Sequence, residues 1–408
     1  MQQGYKQTEI GLIPNDWDIK YLNDFGDVIS GGTPSTTISE YWDGDIAWCT
    51  PSDITSTDGK YIFKTERCIT EKGLKNSAAT VLPTNSILLC TRATIGELKL
   101  SGIPMATNQG FKNLHSNGSG SVDYLFYILQ TKKKDMIELA IGSTFLEISK
   151  KALCSIPLQT PPIAEQEYIA EALSDVDSMI SSLEKLIIKK KAIKQGAMQE
   201  LLTEKKRLPG FTGEWIKVQL KDIFDFYKGN GLSKEKVSDN GKNACILYGE
   251  LFTRYTEVIG NITNKTNSDE GLRSCKFDVL MPGSTTTNGL DLATASVIMD
   301  NDVLLGGDIV VLRPKKEMDT RIFGYLLRTM PKEILQHTQG ITIVHLNTKT
   351  FREMEVLIPK TVEEQTAIAD ILADMDNEIE ALEQKFTKTR QIKQGMMQQL
   401  LTGKIRLV

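Results

Sequence analysis

The segment IKQGAMQELLT (193–203) occurs a second time, almost unchanged, as IKQGMMQQLLT (392–402). The two copies lie 199 residues apart (392 − 193 = 199). An upstream segment, EQEYIAEALSDVD (165–177), has its counterpart in EQTAIADILADMD (364–376) at the same offset. Self-similarity at a fixed offset indicates that one structural unit occurs twice. The sequence therefore predicts an internal pseudo-two-fold repeat.

The repeat extends into the remainder of the chain. Trp17 matches Trp215 at an offset of 198, and GSTFLEIS (142–149) matches GITIVHLN (340–347) at the same offset. The first part of each copy mixes short strand-like apolar runs, turns and short helical patterns, which predicts a mixed α/β (α+β) class. We predict globular domains at 1–160 and 210–360, each followed by a long helical segment, at 161–209 and 361–408.

The helical segments carry apolar residues spaced alternately four and three apart, the pattern of a coiled-coil seam. The first seam comprises Ile169, Leu173, Val176, Ile180, Leu183 and Ile187 and resumes at Leu201; the second comprises Ile368, Leu372, Met375, Ile379, Leu382 and Phe386 and resumes at Leu400. We expect the two helices to pair with each other, antiparallel, because the second returns toward the first domain.

Each predicted helix contains an interior glycine, Gly196 and Gly395. Glycine in a helix interior costs about 1 kcal/mol relative to alanine. Because both copies carry that cost, we expect a close contact at these positions, either between the two helices or with a docked partner.

Composition places the chain among soluble proteins, with 40% hydrophobic and 25% charged residues and a net charge of −4. No apolar run reaches the roughly 18 residues that a membrane span needs, and the beginning lacks a secretory signal. We therefore expect a cytoplasmic protein without a membrane partner. The acidic balance counts mildly against nucleic-acid binding. The six cysteines show no zinc or disulfide spacing and are expected to be buried as small hydrophobic residues.

Motifs that carry catalysis are not found in the sequence. It contains neither the GxxxxGK[ST] loop of nucleotide hydrolases nor the Asn-Pro-Pro-aromatic tetrad of amino-methyltransferases. The three histidines have no metal-ligand or triad spacing. One stretch, PSDITSTDGK (51–60), loosely resembles a metal-dependent nuclease motif through Asp53, Asp58 and Lys60. Because Asp58-Gly59 is a hairpin turn signal, we treat this match as chance.

What remains is a set of polar loops present in both copies. Glycine backbones, short hydroxyls and arginine or amide side chains are the groups that contact DNA phosphates and base edges. The same residues also form ordinary turns, so turn chemistry is the competing interpretation for each of them. The candidate DNA-binding residues are Gly31, Gly32, Thr33, Ser35, Ser52, Arg92, Thr94, Asn108, Gln109, Ser143 and Thr144 in the first copy, and Lys228, Asn230, Tyr248, Arg254, Thr285, Thr286, Asn288, Thr342 and His345 in the second.

These motifs, in this order and duplicated, resemble the specificity subunits of type I DNA restriction–modification systems. The resemblance covers essentially the whole chain. It lies in IPNDWDIKYLNDF (13–25), GGTPS (31–35), TRATIGEL (91–98), NQGF (108–111), GSTFLEISKKAL (142–153), PPIAEQEYIAEALSDVD (161–177), KQGAMQELLT (194–203) and YGELFTRY (248–255). The second copy departs from the pattern, with MPGSTTTNG in place of the TRATIG element, so its contact residues are less well defined.

The resemblance implies two target-recognition domains, each reading one half of a split double-stranded DNA sequence, held apart by the paired helices. It implies a non-catalytic chain that holds no cofactor or metal. S-adenosylmethionine belongs to two partner modification (methyltransferase) subunits docked on the helices, and ATP and Mg²⁺ belong to restriction subunits. Two alternatives remain open: a specificity subunit of a type IIB-like system, and a coiled-coil scaffold that does not bind DNA.

Overall fold

The computed structural model describes residues 4–142 and 146–407 and divides into two compact units. Unit 1 contains residues 1–185 together with 384–408, and unit 2 contains 186–383. Each unit therefore consists of the globular part of one repeat, the first half of that repeat's long helix, and the final part of the other repeat's long helix.

The globular part of unit 1 is built from short strands and short helices. Its strands are β1 (Tyr5–Thr8), β2 (Gly11–Pro14), β3 (Asp18–Lys20), β4 (Gly26–Ser30), β5 (Trp42–Cys49), β6 (Tyr61–Ile62), β7 (Arg67–Ile69), β8 (Ile87–Cys90), β9 (Leu98–Ser101), β10 (Ala106–Thr107), β11 (Phe111–Ser116) and β12 (Leu158–Thr160). Its helices are α1 (Pro51–Ser56), α2 (Glu71–Lys75), α3 (Val122–Thr131), α4 (Lys133–Glu138) and α5 (Lys150–Leu153), after which the long helix α6 (Ile163–Leu201) begins.

The globular part of unit 2 follows the same plan. Its strands are β13 (Trp215–Gln219), β14 (Phe224–Lys228), β15 (Asn243–Ile246), β16 (Val258–Ile259), β17 (Lys265–Thr266), β18 (Leu272–Arg273), β19 (Val279–Pro282), β20 (Ser284–Thr285), β21 (Ser296–Ile298), β22 (Leu304–Leu305), β23 (Ile309–Pro314), β24 (Thr338–Gln339), β25 (Val344–Leu346) and β26 (Glu355–Pro359). Its helices are α7 (Leu220–Ile223), α8 (Glu250–Thr253), α9 (Arg321–Arg328), α10 (Pro331–Leu335) and α11 (Thr348–Phe351), and the long helix α12 (Val362–Leu400) follows.

The main sheets of the two units share one topology. In unit 1 the strand order is β4-β11-β8-β9-β6, and in unit 2 it is β14-β23-β19-β21-β16. In both sheets the pairs are antiparallel except for the last, β9 with β6 and β21 with β16, which is parallel. The predicted mixed α/β class, the duplication and the two long helices are therefore confirmed.

Each unit buries the end of a long helix from the other repeat in its own core. In unit 1, Ile169 and Leu173 of α6 belong to the same buried cluster as Leu400 and Leu401 at the end of α12. In unit 2, Ile368 and Leu372 of α12 cluster with Met198 and Leu201 of α6 in the same way. Within each unit, the beginning of one helix thus packs against the end of the other, and the pair is antiparallel.

The end of α12 depends on a left-handed backbone position. Gly403 has a φ of +70°, and a Cβ there would lie 2.6 Å from the Pro14 side chain. The matching position after α6 is Glu204, whose φ is 61°. Both helices therefore stop at the same place in the repeat, with a turn that L-residues adopt at a cost.

The cysteine prediction holds only in part. Cys49, Cys90 and Cys245 are buried and Cys68 and Cys154 are half-buried, whereas Cys275 is exposed. Cys275 lies in the turn before β19, where its neighbours leave the side chain in solvent, so the expectation of burial was wrong for this residue. Within the described residues, no helix is both long and apolar enough to cross a membrane.

Candidate nucleic-acid interface

The polar loops of unit 1 meet at one end of the strands of the main sheet, where β4 and β8 end and β11 begins. We call this end of the strands the sheet edge. The Gly32 amide donates to the Thr107 carbonyl at 2.9 Å, and the Thr91 amide donates to the Gly110 carbonyl at 2.7 Å. At Gly31 a Cβ would lie 1.9 Å from the carbonyl oxygen of Asn108, so only glycine allows these two loops to approach. The structure thus brings the GGTPS, TRATIG and NQG loops together.

The arginine at this edge is already paired with an acid. Arg92 Nη2 lies 2.5 Å from Glu147 Oε2, and Lys112 Nζ lies 3.8 Å from Oε1 of the same carboxylate. Burial lowers the pKa of Lys112, and the nearby Glu147 opposes that shift. In the isolated chain, Glu147 therefore balances two cations, the exposed Arg92 and the buried Lys112.

The other candidates of the first copy differ in their freedom to contact a ligand. Asn108 Oδ1 accepts from the Gly110 amide at 2.9 Å, and Thr33 donates its hydroxyl hydrogen to Gln109 Oε1. Ser35 and Ser52 are exposed and Thr94 is half-buried. The predicted Ser143 and Thr144 lie outside the described residues.

In unit 2 the equivalent sheet edge gathers the equivalent loops. A Cβ on Gly229 would lie 2.0 Å from the Gly306 carbonyl oxygen, which repeats the close approach found at Gly31. Asp308 Oδ1 lies 3.1 Å from Lys228 Nζ, and its Oδ2 accepts from the Ser284 hydroxyl at 3.2 Å. Ser284 in turn pairs with His345 in the β20–β25 ladder. The candidates Asn230, Tyr248, Thr286, Asn288, Thr342 and His345 are exposed.

Two predicted contact residues are corrected by their burial. Thr285 is 5% exposed, and its hydroxyl shares a hydrogen bond with Thr287, so it stabilises a turn. Gly32 is also buried, because its backbone packs against Ala78 and Ala79. Neither offers a surface to DNA in this structure.

Arg254 occupies a different place from the other candidates of the second copy. Its Nη1 lies 2.9 Å from Glu250 Oε1, and the guanidinium lines a cavity of about 1030 Å³ that runs along the residues of α6 and α12 in unit 2. The cavity is also lined by Lys194 and Asp376. Arg254 is therefore placed beside the long helices.

The long helices have buried or half-buried residues at every predicted seam position. The interior glycines behave differently from the expectation. A Cβ on Gly196 or Gly395 would meet no described atom within 4 Å. The expected close contact between the helices at these glycines is therefore not formed, and contact with a docked partner is the alternative that remains.

Two repeated polar clusters were missed at the level of sequence. In unit 1, Lys393, Asp177 and Tyr127 come together, and their counterparts in unit 2 are Lys194, Asp376 and Tyr325. The only available signal was that each of these residues recurs at the repeat offset of 198 or 199. Burial raises the pKa of both tyrosines, so each hydroxyl stays protonated and donates to its aspartate. Burial also raises the pKa of Asp376, which the Lys194 ammonium opposes.

The nuclease-like stretch is structural. The Asp53 carboxylate accepts from the backbone amides of Thr50 and Glu66, each at 2.8 Å, and caps α1. Lys60 pairs with Asp123 of α3. Among the described residues, no group of three or more His, Cys, Asp or Glu side chains is arranged to hold a metal ion.

A family model for the type I restriction modification DNA specificity domain matches the chain twice, at residues 14–194 and 212–394. The chain therefore belongs to this family of DNA target-recognition proteins and carries two copies of its domain. The two alternatives left open by the sequence were a specificity subunit of a type IIB-like system and a scaffold that does not bind DNA. Membership of this family favours neither of them.

Individual relatives carry the same description. The MjaIX specificity subunit of Methanocaldococcus jannaschii is 40% identical over 183 residues, which cover 44% of this chain and 42% of that relative. The MjaVIII specificity subunit of the same organism is 23% identical over 421 positions, covering 100% of this chain and 97% of the relative. The EcoR124I/EcoR124II specificity subunit of Escherichia coli is 27% identical over 186 residues, 44% of this chain and 45% of the relative.

Solved structures share the fold. The S subunit of a type I restriction–modification system from M. genitalium superimposes with a TM-score of 0.61 and 17% identity, covering 98% of this chain and 99% of that one. A chain from a study of complex assembly and conformational transition in a type I system gives a TM-score of 0.57 with 14% identity, covering 96% of this chain and 99% of that one. At these identities the likeness establishes the fold.

Proposed function

We propose that unit 1 and unit 2 each read one half of a split, asymmetric double-stranded DNA sequence, and that the paired long helices set the distance between the halves. The observation that carries this proposal is the repeated sheet edge: the same loops meet in both units, but their side chains differ. Arg92 and Glu147 in unit 1 stand where Ser284 and His345 stand in unit 2. The first pair forms an isolated antiparallel bridge, and the second pair belongs to the antiparallel β20–β25 ladder. Similar scaffolds with different contact groups suit two different half-sites.

The chain acts, in this proposal, as a non-catalytic subunit in the cytoplasm. It binds no cofactor or metal of its own, and two modification subunits dock on the helices and bring S-adenosylmethionine. Restriction subunits supply the chemistry that depends on ATP and Mg²⁺. Support comes from the family and from relatives whose names describe them as specificity subunits.

The test is methylome sequencing of a host that expresses this chain with its modification subunits. We expect methylated sites to share one asymmetric motif, two defined half-sites separated by a fixed number of unspecified bases. Hosts that lack this chain should show no such motif. A continuous motif, or none, contradicts the proposal.

A second experiment separates the subunit from an enzyme and from a scaffold. The purified chain, incubated alone with DNA, S-adenosylmethionine, ATP and Mg²⁺, should neither methylate nor cleave. With modification subunits added, it should give a sequence-specific gel shift. A scaffold without DNA contacts predicts no shift that depends on sequence.

A further inference from the structure

Three helices of unit 1 meet at one polar layer. Asp177 of α6 accepts with both carboxylate oxygens: Oδ1 lies 2.6 Å from Lys393 Nζ on α12, and Oδ2 lies 2.8 Å from the Tyr127 hydroxyl on α3. The Lys393 ammonium also lies 5.5 Å from the centre of the Tyr127 ring. One carboxylate thus joins both long helices and the short helix of the globular part.

Unit 2 repeats the three contacts of this layer, although the Tyr127 hydroxyl also lies 3.1 Å from the Ser174 hydroxyl and Ala373 stands at the position matching Ser174. Asp376 Oδ1, now on α12, lies 2.5 Å from Lys194 Nζ on α6, and Oδ2 lies 2.8 Å from the Tyr325 hydroxyl on α9. The Lys194 ammonium lies 5.3 Å from the Tyr325 ring centre. Unit 2 adds a second acid, Glu257, 2.9 Å from Lys194. In unit 1 the aspartate lies on α6 and the lysine on α12, whereas in unit 2 the aspartate lies on α12 and the lysine on α6. The distances between the groups are nearly the same.

The polar groups of the two layers are partly buried. Because of this burial, they fix the relative positions of the helices more than they raise the free energy of unfolding. The side chain of Lys194 is 12% exposed and that of Lys393 is 20% exposed, so each ion pair loses much of its hydration. A partly buried ion pair contributes little net stability, but separating its members is costly. A purely apolar seam tolerates sliding, whereas a polar group at a seam position fixes one register. The tyrosine extends that constraint from the helix pair to the globular part.

We propose that these two Lys–Asp–Tyr layers are positioning devices that fix how each unit's reading loops are oriented on the long helices, and thereby restrict the complex to one spacer length between half-sites. The inference rests on the proposed function. It assigns Asp177, Tyr127, Asp376 and Tyr325 a role in the selection of spacing, separate from the recognition of bases at the sheet edges.

The test uses the full chain in complex with its modification subunits. Tyr127→Phe and Tyr325→Phe, singly and together, remove only the hydroxyl and keep the ring beside the lysine. We expect methylation of targets whose spacer is one base pair longer or shorter to rise by about tenfold relative to native targets, the change that loss of one charge-assisted hydrogen bond supports. Both half-site sequences should be unchanged. Asp177→Asn, which leaves Lys393 without its anion, should relax the spacing further.

A matched control is available on the same helices. Lys191 and Glu383 also bridge α6 and α12, at 2.6 Å, but the pair is exposed. Lys191→Gln should therefore leave the spacer distribution as in the native complex. A rescue variant exchanges the charges of the unit 1 layer, Asp177→Lys with Lys393→Asp, and should narrow the distribution again relative to Asp177→Asn.

The outcomes separate this inference from the function beneath it. If the native complex methylates a continuous motif, the proposed function fails. If it methylates a split motif and the tyrosine variants and Asp177→Asn keep one spacer length while folding normally by thermal unfolding, the positioning role is wrong and the layers are structural. Relaxed half-site sequences at an unchanged spacing also contradict it.

Discussion

Arg406, near the end of the chain, forms a two-pronged salt bridge with Glu165 at the beginning of α6. Arg406 Nε lies 2.5 Å from Glu165 Oε1, and Nη2 lies 2.7 Å from Oε2. The Trp17 indole donates to the same carboxylate at 2.9 Å. Unit 2 repeats this arrangement with Arg207 and Glu364. In each unit, an arginine from the end of the other repeat's helical segment thus binds the glutamate at the beginning of the long helix.

Loss of that arginine should destabilise unit 1 selectively. The Glu165 side chain is 1% exposed, so Arg406→Ala leaves a buried carboxylate without its cation. We expect the free energy of unfolding of unit 1 to fall by about 3–5 kcal/mol, measured by urea denaturation. Arg406→Lys keeps the positive charge but not the bidentate geometry, so its free energy of unfolding should lie between those of the native chain and Arg406→Ala. Arg207→Ala is the matched variant for unit 2; equal midpoints for Arg406→Ala and the native chain would contradict the role of the bridge.

Sequence patterns predicted the duplication, the class and the helices because these depend on local periodicity and on a fixed offset. The Arg406–Glu165 bridge was not predictable, since its partners lie 241 residues apart (406 − 165 = 241) and no spacing rule links them. Thr285 was misjudged because β20 is two residues long and its burial depends on pairing with β25. For Gly196 and Gly395, the predicted contact between the two helices was wrong, because the low helix propensity of glycine does not identify what the residue contacts. The predicted contact with a docked partner stays a prediction.

Arg92 should read the first half-site only. Arg92→Ala removes the one arginine of the TRATIG loop at the unit 1 edge, and we expect a loss of about 1–3 kcal/mol in discrimination at one base position. Competition gel shifts with single-base variants of both half-sites measure it. Arg92→Lys should restore charge but not base discrimination. Uniform weakening on all sequences would make Arg92 a phosphate contact. The companion variant Glu147→Gln removes the anion that pairs with the exposed Arg92 and should raise affinity for unrelated DNA.

The interior glycines should affect the isolated chain and the complex in opposite directions. A Cβ at Gly196 or Gly395 has open space around it, so Gly196→Ala and Gly395→Ala should stabilise the free chain by up to about 1 kcal/mol each. If a modification subunit approaches the backbone there, the same variants should weaken assembly, measured by titration calorimetry. Stabilisation with unchanged assembly would remove the glycines from the partner interface.

The thiols should react in the order of their exposure. Burial raises the pKa of Cys90 to about 12 and that of Cys245 to about 11, whereas Cys275 is exposed. Since the thiolate is the nucleophile, iodoacetamide at about pH 8.5 should label Cys275 in the native chain and the buried pair only after denaturation, as read by peptide mass spectrometry. Below the ordinary thiol pKa both the folded and the unfolded thiols are protonated, so burial leaves the free energy of unfolding independent of pH there. Above it only the unfolded thiols ionise, so stability should fall as pH rises toward the raised values. Native labelling of Cys90 would contradict its burial.

The distance between half-sites should follow the length of the helices. Asp177 and Lys194 are 17 residues apart on α6, as are Asp376 and Lys393 on α12 (194 − 177 = 393 − 376 = 17), so equal insertions in both helices keep both polar layers in register. Four residues inserted after Leu186 and four after Lys385 add about 6 Å of helix, which corresponds to about one or two base pairs of DNA. Methylome sequencing should show a spacer longer by that amount and unchanged half-sites. The same four residues inserted after Gly118, in an exposed turn, should leave the spacer unchanged. An unaltered spacer in the doubly lengthened helices would show that something other than the helix pair sets the distance.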